Sequence, residues 1–226
     1  MRTRTTPAKR GLAAIATVAL LAVPLAACGT EDSGSGSGSG DSASASAPKP
    51  VAAIDALTGK DTAIALDTGF TDALTSLKLT PGVVGDAKLV DGSLVFPITG
   101  GNVTVFKPGQ VSPYVIGQIQ HEGSGLSLTA GDTKVELTNL NVDPGVSRVY
   151  GDVSVNGKTA VTNAFLFQLD GRTLEPLATE GSTAILEGTK VMISDDAAGL
   201  LNDTFKTDAV KGGLLVGIAK ITVNTK

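Results

Sequence analysis

The chain has 226 residues, 18 Lys and Arg against 22 Asp and Glu, and a net charge of −4 with its one histidine neutral. It has one cysteine, two tyrosines and no tryptophan. A mildly acidic chain excludes nucleic acid as a partner, because phosphate backbones demand clustered Lys and Arg. A single cysteine excludes an internal disulfide and a thiolate zinc site.

Residues 1–10 are basic, with Arg2, Arg4, Lys9 and Arg10, and residues 11–23 are an unbroken apolar run. That run is too short to span a bilayer, for which about 20 apolar residues are needed. Basic start, short apolar stretch and small residues together predict a removable export signal over residues 1–27. It ends in Leu25-Ala26-Ala27-Cys28, a sequence that resembles the lipobox of bacterial lipoproteins. The resemblance implies that Leu25, Ala26 and Ala27 are read by the signal peptidase. It also implies that the Cys28 thiol takes a diacylglyceryl group and becomes the new N-terminus. The expected location is the outer face of the plasma membrane, with the lipid as the membrane contact. Removing four of the 18 basic residues leaves 14 against 22 acids, a charge of about −8, which is unsuited to electrostatic docking on anionic lipid.

Residues 28–50 form the lipidated cysteine and a tether rich in Gly, Ser, Ala and Pro. Such a composition makes a flexible coil. Residues 51–226 are long enough for one domain with its own core.

Within that domain, Thr62–Leu66 reads as a strand. Phe70, Ala73, Leu74 and Leu77 then fall at helical spacing, with Asp67 or Thr68 as cap and Pro81-Gly82 as the expected stop. From there to about Ile193 the period is two. Leu94, Phe96 and Ile98 alternate with Val95, Pro97 and Thr99, and Val103 and Val105 follow the Gly100-Gly101 turn. Leu126 and Leu128 alternate with Ser127 and Thr129, and Val135 and Leu137 alternate with Lys134 and Glu136. Val153 and Val155 lead into Asn156-Gly157, a hairpin signal, and Thr159–Leu169 returns. Ser194 followed by Asp195 and Asp196 reads as the start of a second helix with Ala197, Leu200, Leu201 and Phe205 inward. Leu214–Val223 reads as a closing strand. The expected class is mainly β, an antiparallel sandwich or barrel-like domain with two short helices.

The stretch Gly117 to Leu128 (GQIQHEGSGLSL), the strands near 137–142 and 149–155, and the segment from Leu186-Glu187-Gly188 to Asn202 resemble the HtaA-like domains of actinobacterial cell-surface proteins. Members of that family bind haem at the cell surface through a tyrosine and a histidine. The resemblance implies the same class of ligand here, with His121 as the residue carried over. The family's early aromatic segment is replaced here by Gly69–Leu79, which holds neither Tyr nor Trp.

Read from the residues alone, His121, beside Glu122 and before Gly123, is a candidate ligand or acid/base, or else a loop or strand-end histidine in solvent. Tyr114, seven residues earlier, falls on the opposite face of a regular strand unless a bulge at Gly117 intervenes. Tyr150 is a third candidate, or a core or interface aromatic. Asn139, Asn141 and Asp143 alternate and would share one face, as oxygen ligands for calcium or a sugar; Asp143-Pro144-Gly145 reads better as a turn. No catalytic constellation and no metal site emerge, and adjacent Asp195 and Asp196 read as helix-capping acids. The functional expectation is a non-enzymatic, membrane-anchored module binding haem or another small hydrophobic ligand. The alternative is an envelope module contacting protein or glycan.

Overall fold

The computed structural model describes residues 47–226, so the export signal, Cys28 and nearly all of the tether lie outside the described residues. Helix-breaking glycines and alternating apolar positions make the described residues fold mainly as strands. In chain order these are β1 (Ala52–Ile54), β2 (Lys60–Leu66), α1 (Thr68–Ser76), β3 (Thr80–Gly85), β4 (Lys88–Val90), β5 (Ser93–Pro97) and β6 (Gly100–Val105). There follow β7 (Val115–Ala130), β8 (Thr133–Asp143), β9 (Arg148–Val155), β10 (Lys158–Asp170), a 3₁₀ turn (Gly171–Thr173), β11 (Ala178–Glu180), β12 (Thr183–Ile193), α2 (Asp195–Phe205) and β13 (Leu215–Asn224).

All thirteen strands join one antiparallel sheet in the order β1-β6-β7-β8-β9-β10-β12-β13-β2-β5-β4, with β11 added beside β12 and β3 beside β7. The 16-residue β7 is long enough to carry two neighbours on the same side. Its first half pairs with β6 and its second half with β3. The sheet curls into a half-barrel, the barrel-like antiparallel class with two helices that the sequence predicts.

The local signals explain the elements. The Asn156-Gly157 turn has φ of 50° and 75°, the pair of left-handed residues that a two-residue hairpin needs. Asn156 Oδ1 also accepts from Lys134 N at 2.8 Å. Asp67 caps α1 by accepting from Gly69 N, and Ser194 caps α2 by accepting from Ala197 N. The Ser194 hydroxyl donates to the Phe165 carbonyl at 2.6 Å, which ties the helix start to β10. Asp195 and Asp196 both fall in the first turn of α2, where acids favour the helix dipole.

One expected stop is misplaced. Pro81-Gly82 does not end α1; the helix closes at Ser76 and the chain turns through Lys78 at φ 56°. Pro81 and Gly82 instead lie in β3, which pairs only with β7. Such a one-sided strand tolerates a residue without an N–H.

The core has two ends. At one, Phe70 and Leu74 of α1 and Ala197 and Leu201 of α2 close the half-barrel over Leu128, Leu137, Val153 and Leu166. Leu166 is fully buried. Gly151 faces this packing, and a Cβ there would lie 2.8 Å from Leu166 Cδ1 and 2.9 Å from Leu140 Cδ2. The other end is not filled by a helix, and the candidate site lies there.

Candidate functional site

The interior of the half-barrel encloses a cavity of about 460 Å³. Its walls are apolar because the inward positions of alternating strands meet there. Phe96 comes from β5, Ile119 from β7, Val149 from β9 and Ala219 from β13. Half-buried and exposed residues of three connections form its mouth: Ser112–Tyr114, Pro144 and Ser147, and Asp170–Arg172. At the mouth Arg172 Nη2 lies 2.7 Å from Asp170 Oδ2 and Nε lies 2.9 Å from Oδ1. Hydrogen bonds from this guanidinium hold the Asp170 carboxyl well below the usual range.

His121 lines the cavity and is only 1% exposed, so it is not the solvent-facing strand-end residue that was one expectation. The parity of β7 puts it inside: Val115, Ile119 and His121 all fall on the inward face. Nδ1 lies 2.9 Å from the Pro97 carbonyl oxygen. A carbonyl only accepts, so Nδ1–H donates; burial disfavours a second proton, and in that neutral ring the lone pair lies on Nε2. Nε2 accepts from the Thr62 hydroxyl at 3.2 Å. Burial is the main cause that holds the His121 pKa below 6.5, opposed by the Pro97 and Phe96 carbonyls and by the charge of Asp61. Phe96 lies beside the ring at 6.1 Å between centroids.

Tyr114 is half-buried and lines the same cavity. It arrives there without a bulge at Gly117, since β6 and β7 pair in unbroken register from Gly100↔Gln120 to Val105↔Val115. Tyr114 precedes the first paired residue of β7, so strand alternation does not govern it. Gly117 serves a different need: at φ 129° a Cβ would sit 2.2 Å from the Asn102 carbonyl oxygen. The slip in β7 occurs instead between His121 and Gly125.

Tyr150 does not line the cavity. Its strand neighbour Val149 points inward, and Tyr150 lies on the outer face against Phe165, 5.9 Å between centroids. Arg148 stacks on Phe165 at 4.5 Å. Asn139, Asn141 and Asp143 do not form one regular row, because β8 slips between Thr138 and Asn141 and Asn139 has φ 53°. Asp143 serves the turn, accepting from Val146 N at 3.2 Å.

Thr62, the residue that occupies the histidine lone pair, is 59 positions away in sequence and carries no local motif. The burial of His121 was discoverable from parity with Ile119, two residues before it.

No family model and no curated protein matches the sequence. Among solved structures, the fold is similar to the C-terminal domain of HtaA from Corynebacterium glutamicum, with a TM-score of 0.50 and 12% identity over 75% of this chain and 98% of that one. The fold is HtaA-like. A domain-swapped dimer of a variant of the same domain also matches, at a TM-score of 0.43 and 11% identity over 70% of this chain and 90% of that one. In the HtaA-like half-barrel described here, a neutral buried histidine and a tyrosine share one apolar cavity.

Proposed function

We propose that this chain is a lipid-anchored extracytoplasmic module whose half-barrel binds a small hydrophobic ligand without catalysis. The observation that carries the reading is the apolar cavity of about 460 Å³ behind an exposed mouth. Ligand pockets generally span about 300–1,000 Å³ and are apolar, with a few fixed polar groups that orient the guest. Here those groups are Tyr114, Thr62 and His121. The Leu25–Cys28 box and the Gly-Ser tether support display at the outer face of the plasma membrane, with the diacylglyceryl group as anchor.

Haem is the particular ligand that the resemblance implies, and the residues meet that test unevenly. The apolar walls suit a porphyrin. A histidine ligand normally donates its second ring N–H to a carbonyl, as His121 does to Pro97. Its Nε2, however, is turned to Thr62 within the core. Bound haem would supply an iron, a Lewis acid for an oxygen or nitrogen donor of the lining. Tyr114 is the phenol in the lining, and its oxygen makes no hydrogen bond to a protein group among the described residues.

Residues 29–226 would be titrated with haemin and with N-phenyl-1-naphthylamine, an apolar fluorophore. Saturable binding of the fluorophore is expected, and any Soret shift with haemin should be lost in Tyr114→Phe. A Soret shift that survives Tyr114→Phe and vanishes in His121→Ala would move ligation to the imidazole. Absence of saturable binding of either probe at micromolar concentration would overturn the reading. Anchoring is tested separately: labelled palmitate should enter the wild type and not Cys28→Ser, and a labelled mutant refutes it.

A further inference from the structure

The sheet has a second concavity, on its outer face. It is a groove of about 560 Å³ lined by Gln120, Glu122, Asn139, Asn141, Asp152 and Asn163. Irregularities in three neighbouring ladders form it. The pairing slips between His121 and Gly125, between Thr138 and Asn141, and between Val161 and Ala164. Gly123, Asn139 and Asn163 stand there at φ 71°, 53° and 52°.

Part of this groove is explained by folding alone. The slips release backbone donors that need partners. Asn139 Oδ1 accepts from Gly123 N at 3.1 Å, and its Nδ2 donates to Asp152 Oδ2 at 2.9 Å. Asp152 Oδ1 accepts from Asn163 N at 3.0 Å. Asn139 and Asp152 are thereby locked in place, and these hydrogen bonds hold the Asp152 carboxyl below its ordinary range.

Asn141 has no such explanation. Its Oδ1 is buried and has no hydrogen-bond partner, the one such side-chain atom among the described residues. Native folds rarely leave a buried oxygen unpaired, and doing so is destabilising. The side chain is a polar group that the fold itself does not use. Gln120 and Tyr150 are its direct partners on the two adjacent strands, so all three share the outward face. The Tyr150 ring is braced by Phe165, which also carries the Arg148 guanidinium.

We propose that this groove binds a neutral carbohydrate chain. Sugar hydroxyls donate and accept at once, and so do the amides of Gln120, Asn141 and Asn163. A sugar's C–H face packs on an aromatic ring, and Tyr150, the β9 partner of the groove residue Asn141, stands beside it on the same face. The two carboxylates, Glu122 and Asp152, repel anionic polymers. A metal ion is the poorer match: no three His, Cys, Asp or Glu side chains gather among the described residues, and both Asp152 oxygens already accept hydrogen bonds. The groove is separate from the half-barrel cavity, so this proposal stands or falls without it.

Residues 29–226, which keep the whole compact unit, would be titrated by calorimetry against a soluble glucan, a mannan and a galactan, with dextran sulfate as the anionic counterpart. Saturable binding to at least one neutral polymer and none to dextran sulfate is expected. Asn141→Leu and Tyr150→Ala should each weaken it at least tenfold. Asn141→Leu should melt no lower than wild type, because it removes an unpaired buried oxygen, the usual exchange of function for stability. The proposal is overturned if no neutral polymer binds, if dextran sulfate binds equally, or if Asn141→Leu keeps full affinity. A lowered melting temperature in Asn141→Leu overturns it too, since the side chain would then be serving the fold.

Discussion

Replacing Thr62 by Val keeps the side chain's shape and deletes the hydroxyl that donates to His121 Nε2. Thr62 is 4% exposed and His121 is 1% exposed, so bulk water has little access to the lost bond. A buried acceptor left unpaired costs about 1–3 kcal/mol. Some of that is offset by burying a methyl where a hydroxyl stood, which leaves an expected loss of about 1–2 kcal/mol. For a domain of this size each kcal/mol shifts the melting temperature by roughly 2–4 °C. Single-mutant loss alone would not prove the contact, so the assay is a double-mutant cycle by urea unfolding at pH 7.5. It compares Thr62→Val in the wild type and in a His121→Phe background, where no Nε2 remains to be orphaned. A coupling of at least about 1 kcal/mol is expected between residues that share a hydrogen bond. Equal effects in the two backgrounds, within about 0.3 kcal/mol, would refute the pairing.

The same histidine makes stability depend on pH. Its folded pKa is held below 6.5, so as pH falls below about 6.5 the unfolded chain takes up the proton first and the fold weakens. The loss is at most about 1.4 kcal/mol per pH unit for one proton, and His121→Phe should flatten the unfolding midpoint between pH 7 and 5; an unchanged slope would count against burial of the ring. Leu166→Ala empties a site with 0% exposure and should cost about 3–5 kcal/mol in urea unfolding, whereas a loss below about 1 kcal/mol would mean the helical end of the core is loosely packed. Ser194→Ala removes both the cap on Ala197 N and the donor to the Phe165 carbonyl. It should lose about 1–2 kcal/mol, detected as a lower thermal midpoint, and a Thr at this position should recover most of it.

Much of the fold was legible because it depends on neighbours within a few residues. Asp67, Ser194 and the Asn156-Gly157 pair each satisfy or bend backbone beside them, and the structure shows each in that role. Alternation marked Leu94, Phe96 and Ile98 as buried, and the structure buries them. Pro81-Gly82 misled because the same dipeptide suits a helix stop and a one-sided strand; what separates them is the partner β7, which lies more than 40 residues on in the chain.

The candidate site was legible only in its parts. His121 and Tyr114 could be named from the sequence, and the alternation of β7 even states which way His121 points. What they face was not readable. The imidazole meets Pro97, 24 residues away, and Thr62, 59 residues away. The outer groove exists because slips in separate ladders fall side by side. By itself the sequence determined the class of elements, their caps and turns, and the expectation of a lipid anchor at Cys28. Only the tertiary structure decided the strand order, the company His121 keeps and the loneliness of Asn141. The reason is physical: turns and periodicity are set by contacts a few residues apart, whereas strand pairing is chosen by burial summed over the whole sheet, which no local window contains.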